Sequence, residues 1–261
     1  MTDGRSRARL SVNVNKVATL RNSRGGNVPS VVDATRVSVA AGSPGITVHP
    51  RADARHITFD DVRQISEELR SRGARAEPNV EPNVALNVEL NIEGDPRPDL
   101  LALADEIQPD QFTLVPVRPG EVTSQAGWDP QSDVGQMREF TGALSSAGIR
   151  VSIFVDPDPA AVEWAATVGG DRIELYTEPF ARAFHEGRGR ESFELYSRMA
   201  TRAHELGLGV NAGHDLDLAN LTLFRDLPHL DEASIGHALI SHALYVGLDR
   251  AVRDYIAALG G

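Results

Sequence analysis

Apolar residues along this chain gather into eight short runs separated by longer amphipathic stretches. The runs are 10–15 "LSVNVN", 45–49 "GITVH", 86–93 "LNVELNIE", 111–117 "QFTLVPV", 150–156 "RVSIFVD", 172–178 "RIELYTE", 209–214 "GVNAGH" and 232–237 "EASIGH". Short β-branched segments bounded by Gly, Pro or Asp predict strands. Between them, "TFDDVRQISEELRSRG" places Val62, Ile65 and Leu69 at helical spacing, with Thr58 as N-cap and Gly73 as stop. "DLLALADEI" follows Pro98, and "PAAVEWAATVGG" runs from a proline to paired glycines. "ESFELYSRMATRAHELG" ends on a glycine suited to a helix C-terminus.

Strands alternating with helices predict parallel βαβ units. Eight units in roughly 250 residues is the size of a closed (β/α)8 barrel, here a single domain over residues 1–261. A doubly wound open sheet is the competing arrangement. No G-x-G-x-x-G follows the first strand, which lowers that option without removing it. The stretch "EPNVEPNVALNVELNIEG" repeats a four-residue theme and reads as a small duplication before the third strand.

Composition narrows the class. Hydrophobic residues make up 41% and charged residues 24% of 261, as in a soluble globular protein. No apolar run approaches a membrane span, and the basic start "MTDGRSRARL" lacks the apolar core of a secretory signal. The absence of cysteine fits a cytoplasmic location. A net charge of −11 argues against a nucleic-acid partner, although a few arginines in a cleft can still draw an anion. Lys16 is the single lysine among 26 basic residues.

In a barrel the C-terminal strand ends share one mouth, where active sites form. The expected strand ends supply Asn13, Asn15, Lys16, His49, Asn91, Glu93, Arg118, Asp156, Glu174, Tyr176, Asn211, His214, Gly236 and His237. Three histidines lie at strand ends, and His56 lies in the loop after the second strand. Each alone has a structural explanation; their convergence on one rim suggests acid–base chemistry. "NAGHDLDLANL" and "SIGHALISHAL" both run strand, Gly-His, helix, the form of a phosphate cradle at helix starts. A second anion site is expected from "RNSRGG" and "HPRADARH", because arginine's planar fork suits phosphate. The loop Arg118 to Trp128 is a candidate lid.

The segments "VNVNKVATLRNSRG", "GITVHPRADARHI", "LNIEG", "LVPVRPGEVTSQAG", "VSIFVDPD", "IELYTE", "VNAGHDL" and "IGHALI" occur in that order. Together they resemble the pyridoxine 5'-phosphate synthase family. The resemblance implies a TIM-type barrel that condenses 1-deoxy-D-xylulose 5-phosphate with 3-amino-2-oxopropyl phosphate, using no cofactor and no metal. It implies His49 and Glu93 as proton acceptors, His214 as proton donor and Glu174 as a charge stabiliser. Arg51, His56 and Thr123 are implied contacts to the sugar phosphate. Asn13, Arg24, Gly236 and His237 are implied contacts to the amino-oxopropyl phosphate. It further implies a ring-like homo-oligomer, commonly an octamer.

Departures fall at Asn15-Lys16, where the family commonly has Asp-His, and at Asp215, where glycine is usual. A third is Tyr176-Thr177-Glu178, in place of a His-Thr-Gly that follows the glutamate. Asp215 is expected to keep a backbone N–H for phosphate and to turn its carboxylate away. Another phosphosugar enzyme, an aldolase or isomerase with a Schiff base on Lys16, is the alternative. A metal-dependent hydrolase built on His49, Glu93, His214 and His237, and a sensor without turnover, are further readings.

Overall fold

A computed structural model of the chain describes residues 7–74, 88–117 and 125–261. Eight strands form: β1 (Arg9–Asn13), β2 (Gly45–Val48), β3 (Glu89–Gly94), β4 (Gln111–Leu114), β5 (Arg150–Val155), β6 (Arg172–Tyr176), β7 (Gly209–Gly213) and β8 (Leu230–Ile235). They close in sequential order, all parallel, with β1 pairing back onto β8. Closure decides for the (β/α)8 barrel against the open sheet.

The outer faces explain why. Alternate strand residues such as Val12, Ile46, Ile92, Phe112, Ile153 and Ile173 have no exposed surface. They pack against the helix ring, each worth about 1.5–3 kcal/mol of burial. The ring includes α1 (Asn15–Asn22), α2 (Val31–Ala40), α3 (Phe59–Ala74), α4 (Pro98–Ile107), α5 (Val134–Ser146) and α6 (Pro159–Thr167). It continues with α7 (Glu178–His185), α8 (Gly189–Glu205), α9 (Leu221–Phe224), α10 (His237–Val246) and α11 (Leu248–Ala258).

The other strand phase is polar and fills the barrel. Ser11 and Thr47 hydroxyls meet at 2.7 Å, Asn91 Nδ2 donates to Thr47 at 3.4 Å, and Thr113 donates to Asn91 at 3.0 Å. Below this layer Arg150 bonds Gln111 and Glu89, and Glu89 also takes Arg9. Buried polar groups are tolerated here because they bond one another. In this phase β1, β3, β6 and β8 deliver Asn13, Glu93, Glu174 and Ser234 to the mouth.

Several boundaries differ from those expected. The first strand stops at Asn13, whose Oδ1 accepts the Asn15 N–H at 3.0 Å and turns the chain into α1. Asn15 and Lys16 therefore sit in a first helical turn, not on a strand. α3 runs one residue past Gly73, to Ala74. The Thr58 cap holds: its Oγ1 accepts the Asp61 N–H at 3.2 Å, and Asp61 bonds back to the Thr58 N–H at 2.8 Å. α2 is unexpected from its valine-rich sequence. Ser30 caps it by accepting the Asp33 N–H, and burial of Val31, Ala34 and Val39 outweighs weak helix propensity.

Asp61 also takes both arms of Arg21, at 2.5 and 2.9 Å, while Arg21 reaches the His56 carbonyl at 3.2 Å. This clamp ties α1 and α3 to the loop after β2. Burial alone would raise the Asp61 pKa, but the bonds from Arg21 and Thr58 hold it below the ordinary carboxylate range. Asp61→Ala should cost about 3 kcal/mol by stranding Arg21, read as a lower urea midpoint at pH 7. Because the folded pKa is depressed, the clamp is fully present above the unfolded carboxylate pKa. It is lost as pH falls through the lower folded value, so the difference between wild type and variant should shrink in acid.

Candidate active site

One cavity of about 450 Å³ opens at the C-terminal strand ends. Asn13, Asn15, Lys16, His49, Arg51, His56, Glu93, Glu174, His214, Asp215, Gly236 and His237 all line it. This gathers nearly every expected site residue. Arg24 is exposed and does not line the cavity, and of the expected strand-end residues Asn91, Asp156, Tyr176 and Asn211 also lie outside its lining. The segment "RNSRGG" does not leave β1 directly, because the eight-residue α1 intervenes and spans about 12 Å. Thr123 and the start of the expected lid lie outside the described residues. At the far end of that loop, Gly127 N–H donates to Asp156 Oδ1 at 3.1 Å.

The acid–base groups sit deepest. His49 Nδ1 lies 3.7 Å from Glu93 Oε2, and Asn13 Nδ2 reaches the same oxygen at 3.4 Å. Asn15 Oδ1 accepts the His49 backbone N–H at 2.9 Å, so the departure at position 15 still pins this histidine. Burial, then the positive charges of His56, Arg51 and Arg97, push the His49 pKa down to about 3. His49 is therefore neutral at pH 7, and its Nε2 has no hydrogen-bond partner among the described residues. Burial pushes Glu93 up to about 7, only partly offset by His214 and Asn13. Burial and the nearby Glu93 and Glu232 raise the proton affinity of Glu174 well above that of an ordinary carboxylate. Its Oε2 also lacks a partner among the described residues.

Gly213 is needed for this packing and not for a turn. A Cβ there would fall 2.2 Å from Glu174 Oε1. Gly236 is similar, since a Cβ would come within 3.1–3.2 Å of the Asn13 side chain and backbone.

The two expected cradles differ from each other. After β8 the pattern holds: Gly236 precedes α10, whose start has no side-chain cap and so leaves N–H groups available to an anion. After β7 it does not. Residues 214–220 form a tight irregular loop in which Asp217 Oδ1 accepts the N–H groups of Ala219 and Asn220. Only the four-residue α9 follows. Asp and Asn side chains compete with helix formation here. The Asp215 carboxylate is partly exposed to solvent at the cavity rim. It lines the cavity and bonds His214 Nδ1 at 2.9 Å.

Arg51, Arg55 and His56 from the loop after β2 line the cavity together with Lys16 and Thr19 of α1. Burial, then Arg51 and Lys16, depress His56 to about 4. Asp53 bonds Arg55 at 2.8 Å and lies 3.6 Å from Arg51 Nε, holding the two guanidinium groups in this loop. Thr19, Val115, Phe154 and Ser234 complete the lining and were not expected. Phe154 and Ser234 belong to the inward strand phase, so a period-two count back from the strand ends would have found them.

A parallel eight-stranded barrel with buried acid–base groups at its mouth is a (β/α)8 enzyme. The protein-family model described as "Pyridoxal phosphate biosynthesis protein PdxJ" matches residues 10–260. A pyridoxine 5'-phosphate synthase from Christiangramia forsetii is 46% identical over 252 residues, covering 96% of this chain and 99% of the relative. One from Porphyromonas gingivalis is 47% identical over 248 residues, covering 95% and 97%. The chain belongs to the pyridoxine 5'-phosphate synthase family, enzymes of pyridoxal phosphate biosynthesis. Among solved structures, a phosphoribosylanthranilate isomerase from Thermotoga maritima superposes with a TM-score of 0.58 at 13% identity, covering 97% and 99%. That likeness is one of fold. No helix among the described residues is long and apolar enough to cross a membrane.

Proposed function

We propose that this single-domain barrel joins 1-deoxy-D-xylulose 5-phosphate to 3-amino-2-oxopropyl phosphate in one cavity, giving pyridoxine 5'-phosphate, inorganic phosphate and water. The observation that carries this reading is the triad of buried groups with separated proton affinities. His49 is held neutral, Glu93 is poised near pH 7, and Glu174 binds its proton well above the ordinary carboxylate range. Condensing an amine with a ketone and closing the ring moves several protons, which such a spread serves. In the assigned roles His49 and Glu93 accept protons, and their closeness lets one pass a proton to the other. Protonated Glu174 donates to developing negative charge, and His214 gives a proton.

The α10 start, with Gly236 and His237, would hold one phosphate, and Arg51, Arg55 and His56 the other. Two groups of anion-binding residues lining one cavity with the acid–base groups suit two phosphorylated substrates. Lys16 stands beside His56 and lowers its proton affinity, which supports a role in charge balance at the sugar-phosphate end. Exposed Leu244 and Tyr245, at 70% and 89%, support assembly into the family's homo-oligomer, an octamer by resemblance. We place the enzyme in the cytoplasm.

Arg51→Ala should raise KM for the sugar phosphate about tenfold and leave kcat within threefold, because a phosphate contact made in ground and transition states alike binds without accelerating. Steady-state kinetics with each substrate varied in turn would test this. A kcat loss without a KM change would give Arg51 a different role.

A further inference from the structure

The turn after β7 carries a feature that the proton-donor role of His214 leaves unexplained. His214 and Asp215 both adopt positive φ, +89° and +59°. Thr177 Oγ1 donates to the carbonyls of Gly213 and His214, and buried Asn220 donates to the Asp215 carbonyl at 3.0 Å. The strained conformation is thus fixed from both sides. Glycine would hold φ +59° at position 215 without steric cost, so the backbone does not require a carboxylate there. The carboxylate instead closes on His214 Nδ1 at 2.9 Å. Tyr176 packs its ring edge-to-face on the same imidazole at 5.2 Å. The imidazole is held in its plane by one neighbour and at one nitrogen by the other.

We propose that Asp215 is a positioning residue for His214: its carboxylate holds Nδ1–H and leaves Nε2–H as the hydrogen given to substrate. This rests on the proton-donor role proposed above for His214. A carboxylate on the far nitrogen fixes tautomer and ring orientation and favours the imidazolium. In the reaction the Nε2–H bond breaks, its electron pair stays on the ring, and the proton goes to the leaving oxygen. The imidazolium is thereby converted to the neutral ring, with Nδ1–H still on Asp215. The hydrogen bond from His214 holds Asp215 below the ordinary carboxylate range, in keeping with an ionised partner. The other charged and titratable groups facing the pair are Glu93 of β3, Glu174 and Tyr176 of β6, Lys16 of α1 and His237 of α10. Burial keeps the Tyr176 phenol neutral to about pH 12.

The test pairs two readouts on the full-length enzyme. Histidine-selective ¹⁵N NMR without substrates, with His214 assigned from His214→Gln, should show the Nδ1–H tautomer of His214 favoured, a preference lost in Asp215→Asn. In steady-state kinetics, kcat for Asp215→Asn should fall about tenfold at pH 8, with the alkaline limb displaced to lower pH and KM within twofold. Asp215→Glu should recover part of the loss. A His214 tautomer unchanged in Asp215→Asn would overturn the proposal, as would a KM rise at constant kcat. If wild type turned over neither substrate while the tautomer change appeared, the pairing would stand and the proposed function would fail.

Discussion

Glu93→Gln should lose about 10³-fold in kcat, in the middle of the range typical for a positioned general base. Its KM for either phosphorylated substrate should stay within threefold. Glutamine keeps the shape and can still accept from Asn13, but it cannot take a proton. The anion-binding ends at α10 and at Arg51 stay as they are, so binding survives while chemistry fails. The pH profile sharpens the test. Glu93 must be ionised to act as base, and burial has raised its pKa to about 7. Wild-type kcat should therefore climb with pH through that value, and the residual activity of Glu93→Gln should lack the limb. The same raised pKa means Glu93 stabilises the fold below the unfolded carboxylate pKa and loses that contribution as pH rises through about 7. Glu93→Gln should thus be at least as stable as wild type at pH 8. A kcat within tenfold of wild type, or an unchanged acid limb, would remove Glu93 from the proton-transfer set.

Gly213→Ala should be nearly as damaging although it removes no functional group. The added Cβ would sit 2.2 Å from Glu174 Oε1, and Glu174 is only 3% exposed. A carboxyl packed that deeply must move about 1 Å to restore contact distance, in an interior that yields little. Overpacking of this kind costs about 1–3 kcal/mol. A displacement of that size at a catalytic group costs about 10²-fold in rate. Thermal unfolding and kcat should both register the change. Adding the shorter Glu174→Asp should recover the stability but not the rate. A Gly213→Ala enzyme with full kcat would show that the position of Glu174 does not matter to turnover.

The barrel was legible because its outer faces follow elementary rules: β-branched runs, helical spacing and capped helix starts. Thr58 and the prolines at 98 and 159 opened helices as expected. His49, Glu93 and His214 were legible because strands of one sheet end at a common mouth, so position along the chain becomes position in space. What the chain hid depended on distant partners or on competition. Gly213 reads as a turn residue until Glu174 is seen against it. The polar inward phase of Ser11, Thr47, Asn91 and Thr113 looks like weak strand until closure gives each a bonding partner. Arg24 lies outside the cavity lining because "NKVATLRN" folds as a helix directly after β1. The "NAGH" loop reads as a helix start because Asp217 and Asn220, which bond its backbone, resemble ordinary capping residues.

The most direct measurement mixes the purified enzyme with both substrates and follows the absorbance of the pyridine product alongside released inorganic phosphate. One phosphate per pyridine ring, with neither appearing when either substrate is withheld, is the predicted result. Phosphate without the ring, or a borohydride-trapped adduct on Lys16, would contradict the account.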